Sequence, residues 1–233
     1  MGINPHPGSW IEEWLSPDRF STFLVVAKGS RQLALELYEW NARLSSSFLH
    51  DLAHLEVGLR NAYDKALSPA VLAHEKHWTD PDTKLNLFPK VSKFDGTRGI
   101  TLDTNDYPKK KINDALFEAG KTTGGNPSPG KVIAEIDFGF WAHLTSSAQD
   151  KYIWVPYLNK VYAPKTDRKR LHNSLQEIRK LRNRVAHHEP LFADAELNRR
   201  KIVAIGVRVL PTDVIRHVAA NSQILDILSN RPK

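Results

Sequence analysis

One short stretch of this chain gathers two guanidiniums, a carboxamide and two imidazoles: Leu181-Arg182-Asn183-Arg184-Val185-Ala186-His187-His188-Glu189-Pro190. Histidine exchanges protons near neutral pH because its unperturbed pKa is about 6.5. Arginine stays charged and presents a planar fork of donors that fits a phosphate. Arg182 could therefore neutralise charge building on a phosphate while His187 moves the protons of its displacement. Asn183 could hold a sugar hydroxyl or the phosphate in line. Each residue also has a plainer role. Arg182 could form a surface ion pair with Glu177 or Glu189, Asn183 could bond backbone near a helix end, and His187 and His188 could close a helix C-terminus, where a cation is favoured. Arg184 and His188, four apart, suit support or substrate contacts better than a second catalytic pair.

These residues need a helix to carry them. Leu171, Leu175, Ile178, Leu181 and Val185 recur at spacings of four, three, three and four, one apolar stripe of a helix expected over about 168–186. Asp167 or Thr166 can cap it. Asn183 and His187 then lie about 40° apart around the axis, whereas Arg182 and His187 lie about 140° apart. The long arginine side chain, fraying at Glu189-Pro190, or a second copy of the protein must bring those two together.

The stretch resembles the arginine-polar-spacer-histidine signature of the HEPN ribonuclease superfamily, with four residues between Arg182 and His187. Arg182-Asn183 followed by Ala186-His187-His188 is similar to the Abi-like (abortive infection) family in particular. Leu55-Glu56-Val57-Gly58-Leu59-Arg60-Asn61 is similar to an early helix of that family, and Phe138-Gly139-Phe140-Trp141 to another. The three segments stand in matching order over about residues 50–190. The chain departs from many relatives after the paired histidines, where Glu189-Pro190-Leu191-Phe192 replaces a polar residue and an aromatic pair.

The resemblance implies an all-α fold, a HEPN-like helical bundle, and metal-independent RNA cleavage in bacterial phage defence. Arg182, Asn183 and His187 are then the catalytic residues, supported by His188, Glu56, Arg60, Asn61 and Arg184. It implies no cofactor. It also implies a homodimer whose two motif copies line one composite site, RNA as partner, and an antitoxin or regulatory RNA as a possible restraint. The products would carry a 2′,3′-cyclic phosphate and a 5′-hydroxyl. Glu56 and Arg60 would buttress the motif helix, or they would be an ordinary helix ion pair worth about 0.2–0.5 kcal/mol. A binding module of the same fold without catalysis is the alternative. A metal site from His187, His188 and Glu189 is disfavoured, because adjacent residues on a helix diverge by about 100°.

Apolar residues recur at helical spacing elsewhere too, and strict alternation over strand length is hard to find. The expected elements begin with a helix from about Pro17, capped by Ser16. One very long helix, or two joined near Ser45-Ser46-Ser47, follows over 31–67, and Ser68-Pro69 stops it. A surface loop is expected over about 78–106, then a helix over 108–119, a connector over 122–130, and one helix over 132–144 in which Phe138, Phe140 and Trp141 serve the core. A segment over 152–161 precedes the motif helix, and helical pieces over 193–209, 211–220 and 221–228 follow it. The whole of 1–233 reads as one domain.

Composition sets outer limits. Of 233 residues 41% are hydrophobic and 25% charged, enough apolar matter for a large core. Cysteine is absent, which excludes disulfides, thiolate nucleophiles and cysteine-based zinc sites. The first residues lack a basic segment followed by an apolar run, and His6 stands where an acylation motif wants Ser or Thr, so a cytoplasmic address without a membrane is expected. A net charge of +7 favours a polyanion. Lys109, Lys110, Lys111 and Arg168, Lys169, Arg170 are the runs that could track an RNA backbone, although such runs are commonly solvated faces.

Overall fold

The computed structural model describes residues 7–71, 76–80, 86–97 and 99–233, and its architecture is all-α apart from one small hairpin. The axis of the fold is a helix of 37 residues, α3 (Arg31–Leu67), about 55 Å long. Ser30 caps it by accepting the Leu33 amide at 3.3 Å. Its buried face, Leu37, Trp40, Leu44, Phe48, Leu52, Leu55, Leu59, Tyr63 and Leu67, keeps the three- and four-residue spacing throughout. The helix runs unbroken through Ser45-Ser46-Ser47, with Ser45 and Ser47 buried in its packing, and gives way at Ser68-Pro69 to a 3₁₀ turn.

The N-terminal third of α3 packs against α1 (Trp10–Leu15) and α2 (Pro17–Val26). Ser16 caps α2 as expected, accepting from the Arg19 amide, while α1 is an additional element that the periodicity did not reveal. Phe20, Phe23, Ile11 and Leu37 centre this smaller core.

The larger core forms where the rest of α3 meets α4 (Asp106–Thr123), α5 (Pro129–Glu135), α6 (Phe138–His143), α7 (Arg168–Ala186), α8 (Ala195–Val209) and α10 (Ile224–Ser229). A short helix, α9 (Thr212–Asn221), contributes no buried side chain. Phe192 packs against both cores and meets Phe23 edge to face at 5.7 Å, so the segment after the motif helix joins the two.

Two expectations are corrected. The stretch 78–106 is not simply a surface loop. It contains an antiparallel hairpin, β1 (Ser92–Asp95) with β2 (Ile100–Asp103), in which Ser92 faces Asp103 and Asp95 faces Ile100. Strands of four residues with both faces exposed leave no alternating pattern to read. The same stretch also supplies buried Trp78, Leu87 and Phe88 to the core, and Trp78 stacks on Phe140. Residues 81–85 and 98 of that stretch, like the His6 position, lie outside the described residues.

The second correction concerns 132–144, which is two helices rather than one. Ile136 turns extended, and Asp137 starts α6 afresh by accepting the Phe140 amide at 3.0 Å. A capping side chain offers those amides a partner that continuation of α5 would not need. The connecting segment 150–161 forms single irregular turns. Among the described residues no helix is long and apolar enough to cross a membrane.

Candidate functional site

The motif helix, α7, sits where the stripe analysis places it, with Leu171, Leu175, Ile178, Leu181 and Val185 all buried. Asp167 caps it, accepting the Arg170 amide at 3.1 Å. Its far end closes by a double hydrogen-bonded turn: the His188 amide donates to the Val185 carbonyl at 3.1 Å and the Glu189 amide to the Arg184 carbonyl at 2.9 Å. That closure needs a left-handed residue, usually glycine. Here it is His188, at φ 55°. A histidine held there carries backbone strain that surrounding contacts must offset.

Those contacts are specific. Arg184 donates to both Asp194 carboxylate oxygens, at 2.9 and 3.2 Å, and to the Pro190 carbonyl at 2.6 Å. Asn41, buried in α3, accepts the Leu191 amide at 2.8 Å and donates to the Glu189 carbonyl at 3.3 Å. Arg19 of α2 reaches the His188 carbonyl. The side chains of His187 and His188 stay exposed on this clamped turn.

One turn back, Arg182 is half-buried and Asn183 exposed, and both line a cavity of about 270 Å³ with Tyr107, Lys111, Asp137, Phe138, Gly139 and Arg179. The plain role considered for Arg182 is not realised: Glu177 pairs with Lys201 at 3.1 Å, and Glu189 faces Arg184 at 3.6 Å. Among the described residues the Arg182 side chain has no hydrogen-bond partner, and its charge acts on Glu56. Burial raises the Glu56 carboxyl above its ordinary value; Arg182 and then Arg60 oppose that, while Asp137 adds to it. Glu56 on α3 thus lies within electrostatic reach of Arg182 on α7. Arg60 keeps its Nε buried without a partner among the described residues, and Asn61 is exposed.

Asp137 lies at the junction of α5 and α6. Burial alone would raise its carboxyl, but a hydrogen bond from Lys111 and the Phe140 amide hold it below the ordinary range. Lys111 Nζ meets Asp137 Oδ2 at 2.5 Å. Burial pushes the Tyr107 hydroxyl pKa up, so that group remains a donor. Tyr107 and Lys111 belong to the first turns of α4, whose start is anchored by buried Asn105. That side chain donates to the Pro89 carbonyl and accepts from Gln149, each at 2.6 Å.

The other candidates are dispersed. His187 does not line the cavity. Lys109 is paired with Asp103 at 2.9 Å, and Lys110 is exposed. Arg168 is held by Asp150 and the Thr145 carbonyl, each at 2.7 Å, while Lys169 and Arg170 are exposed at the opposite end of α7, roughly 27 Å along its axis from His187. Among the described residues no group of three or more histidine or carboxylate side chains is gathered to hold a metal ion. Tyr107, Asp137, Gly139 and Arg179 were not anticipated as site residues. Two of them left a signal in the sequence, Gly139 as the glycine inside the aromatic motif and Arg179 as an arginine four residues before Asn183.

An all-α protein that presents a strained His-His helix end beside a cationic cavity is the class that fold and site define. The sequence profile of the Abi-like protein family matches residues 20–193, most of the chain. The chain belongs to the Abi-like family, which places it at a coarse level among proteins of abortive infection, a form of phage defence. Neither the curated proteins nor the solved structures include a match.

Proposed function

We propose that this protein is a HEPN-type, metal-independent endoribonuclease of abortive infection. The observation that carries the reading is the pairing of a guanidinium without a hydrogen-bond partner among the described residues, Arg182, with the exposed carboxamide of Asn183 on one cavity, while the next turn clamps exposed His187 in place. In this mechanism a base takes the proton of the RNA 2′-hydroxyl, the 2′-oxygen attacks phosphorus, and the bond to the 5′-oxygen breaks as that oxygen is protonated. The products are a 2′,3′-cyclic phosphate and a 5′-hydroxyl.

His187 performs proton exchange, Arg182 stabilises the phosphorane charge, and Asn183 orients the sugar or phosphate. Glu56 and the Arg184 clamp position Arg182 and the turn. Two protomers share the work: His187 stands off the cavity of its own chain, so pairing of two motif copies in one cleft supplies both a base and an acid. RNA is the substrate in this reading.

The test compares wild type, Arg182→Ala and His187→Ala for RNA integrity and cell growth, with product ends assigned chemically and excess chelator present. Cutting by wild type alone, with cyclic phosphate ends, supports the reading. Loss of cutting in chelator defeats the metal-independent mechanism. RNA binding without turnover in the wild type would instead make the protein a binding module.

A further inference from the structure

The cavity beside the motif contains more chemistry than Arg182 and Asn183 alone require. We propose that Tyr107 and Arg179 form a phosphate subsite there, gripping a second phosphate of the strand that is cut at His187. The proposal rests on the endoribonuclease reading above.

The donors converge over a floor with no side chain. A Cβ placed on Gly139 would lie 3.2 Å from the Tyr107 hydroxyl, 3.6 Å from Arg179 Nε and 2.9 Å from Asp137 Oδ1. Glycine keeps that space open. The Asp137 oxygens are already engaged, Oδ1 by the Phe140 amide and Oδ2 by Lys111. Among the described residues Arg179 bonds only neutral Gln176, at 3.2 Å, and it stays exposed. Three cations, Lys111, Arg179 and Arg182, and one carboxylate, Asp137, line the cavity; Glu56 and Asp114 act on it from outside the lining and Arg60 offsets Glu56, which leaves a cationic surplus beside a protonated phenol. An oxyanion that accepts from a phenol and a guanidinium together fits that donor set.

Spacing links this subsite to the motif. Arg179, Asn183 and His187 follow one another at four-residue intervals, a row that drifts about 40° per step and spans about 12 Å. An RNA strand laid along the row brings one phosphate to His187 and another of the same strand to the cavity. Exposed Lys169 and Arg170, at the other end of α7, offer no such continuity.

The experiment uses the full chain and a 2′-O-methylated oligonucleotide, which cannot be cut, with fluorescence anisotropy as readout. Arg179→Ala should weaken binding about tenfold or more, and Tyr107→Phe, which keeps the ring, severalfold. Walking a single neutral methylphosphonate along the strand should find one linkage that weakens wild type but leaves Arg179→Ala unaffected. If the same coupling appears only with a 5′-phosphate on the strand, the subsite takes a terminal phosphate. Equal binding by wild type and Arg179→Ala, or a methylphosphonate penalty identical in both, overturns the proposal, as does a wild type that binds no oligonucleotide. Coupling without any RNA cutting would retain the subsite and reject the nuclease reading, and cutting without coupling would do the reverse.

Discussion

Replacing Asn41 by alanine tests how the turn after the motif helix is held, because that residue ties α3 to the backbone just past the motif. Its side chain is 2% exposed and makes two hydrogen bonds. The bond from the Leu191 amide is short, at 2.8 Å, and Leu191 is 0% exposed, so that donor would be left buried and unpaired at a cost of about 1–3 kcal/mol. The bond to the Glu189 carbonyl is longer, at 3.3 Å, and belongs to an exposed residue that water can reach, so its loss adds little. The expected destabilisation is about 2 kcal/mol, a fall in Tm of roughly 4–8 °C for a chain of this size. Calorimetry measures it, and amide hydrogen exchange should quicken at residues 187–191 ahead of the core of α7. A variant within about 1 °C of wild type, with Leu191 still protected, would show that the turn does not depend on α3.

Three further outcomes are expected. His143 is held neutral, its pKa lowered to about 4 by burial and then by His172 and Arg179. Its folded-state pKa is below the ordinary histidine value, so it contributes stability that is fully present above about pH 6.5 and lost as pH falls toward 4, up to about 3 kcal/mol. Urea titrations at pH 7 and pH 4 should show His143→Gln losing less stability than wild type over that interval; parallel losses would contradict the assignment. Gly58 lets α3 approach Leu210, and a Cβ there would fall 1.9 Å from Leu210 Cδ2. Gly58→Ala pushes aside the end of the half-buried Leu210 side chain but gains about 0.5–1 kcal/mol of helix preference, so stability should change by no more than about 1 kcal/mol, and the same substitution in a Leu210→Ala chain should be stabilising; denaturation midpoints that show no such difference would contradict the contact. The buried hydroxyls of Tyr63 and Tyr162 bond each other at 2.5 Å, so Tyr63→Phe should lose about 1–3 kcal/mol in chemical denaturation by stranding the Tyr162 hydroxyl.

Local pattern was sufficient for the parts of this protein that depend on local geometry. The buried stripes of α3 and α7 are legible because a helix repeats its facing every three or four residues, and the caps at Ser16 and Asp167 because a short polar side chain satisfies a first-turn amide. The motif itself was legible from Arg182, Asn183 and His187 in one line of text, and the family match over 20–193 agrees with that resemblance. The break at Ile136 was not, since an apolar run continues across it and the deciding contact is one carboxylate choosing the Phe140 amide.

What surrounds the motif was settled only by packing. Tyr107 and Asp137 stand dozens of residues before Arg179, and no spacing rule joins them; they meet because the long α3 and the aromatic α6 seat α4 and α7 around one cavity. The clamp on His188 has the same origin, with Asn41 about 150 positions away in the chain. Sequence periodicity determined which face of each helix turns inward, because that depends on neighbours a turn apart. Which polar ends then share a site depends on side chains brought together across the fold, and only the tertiary structure could decide it.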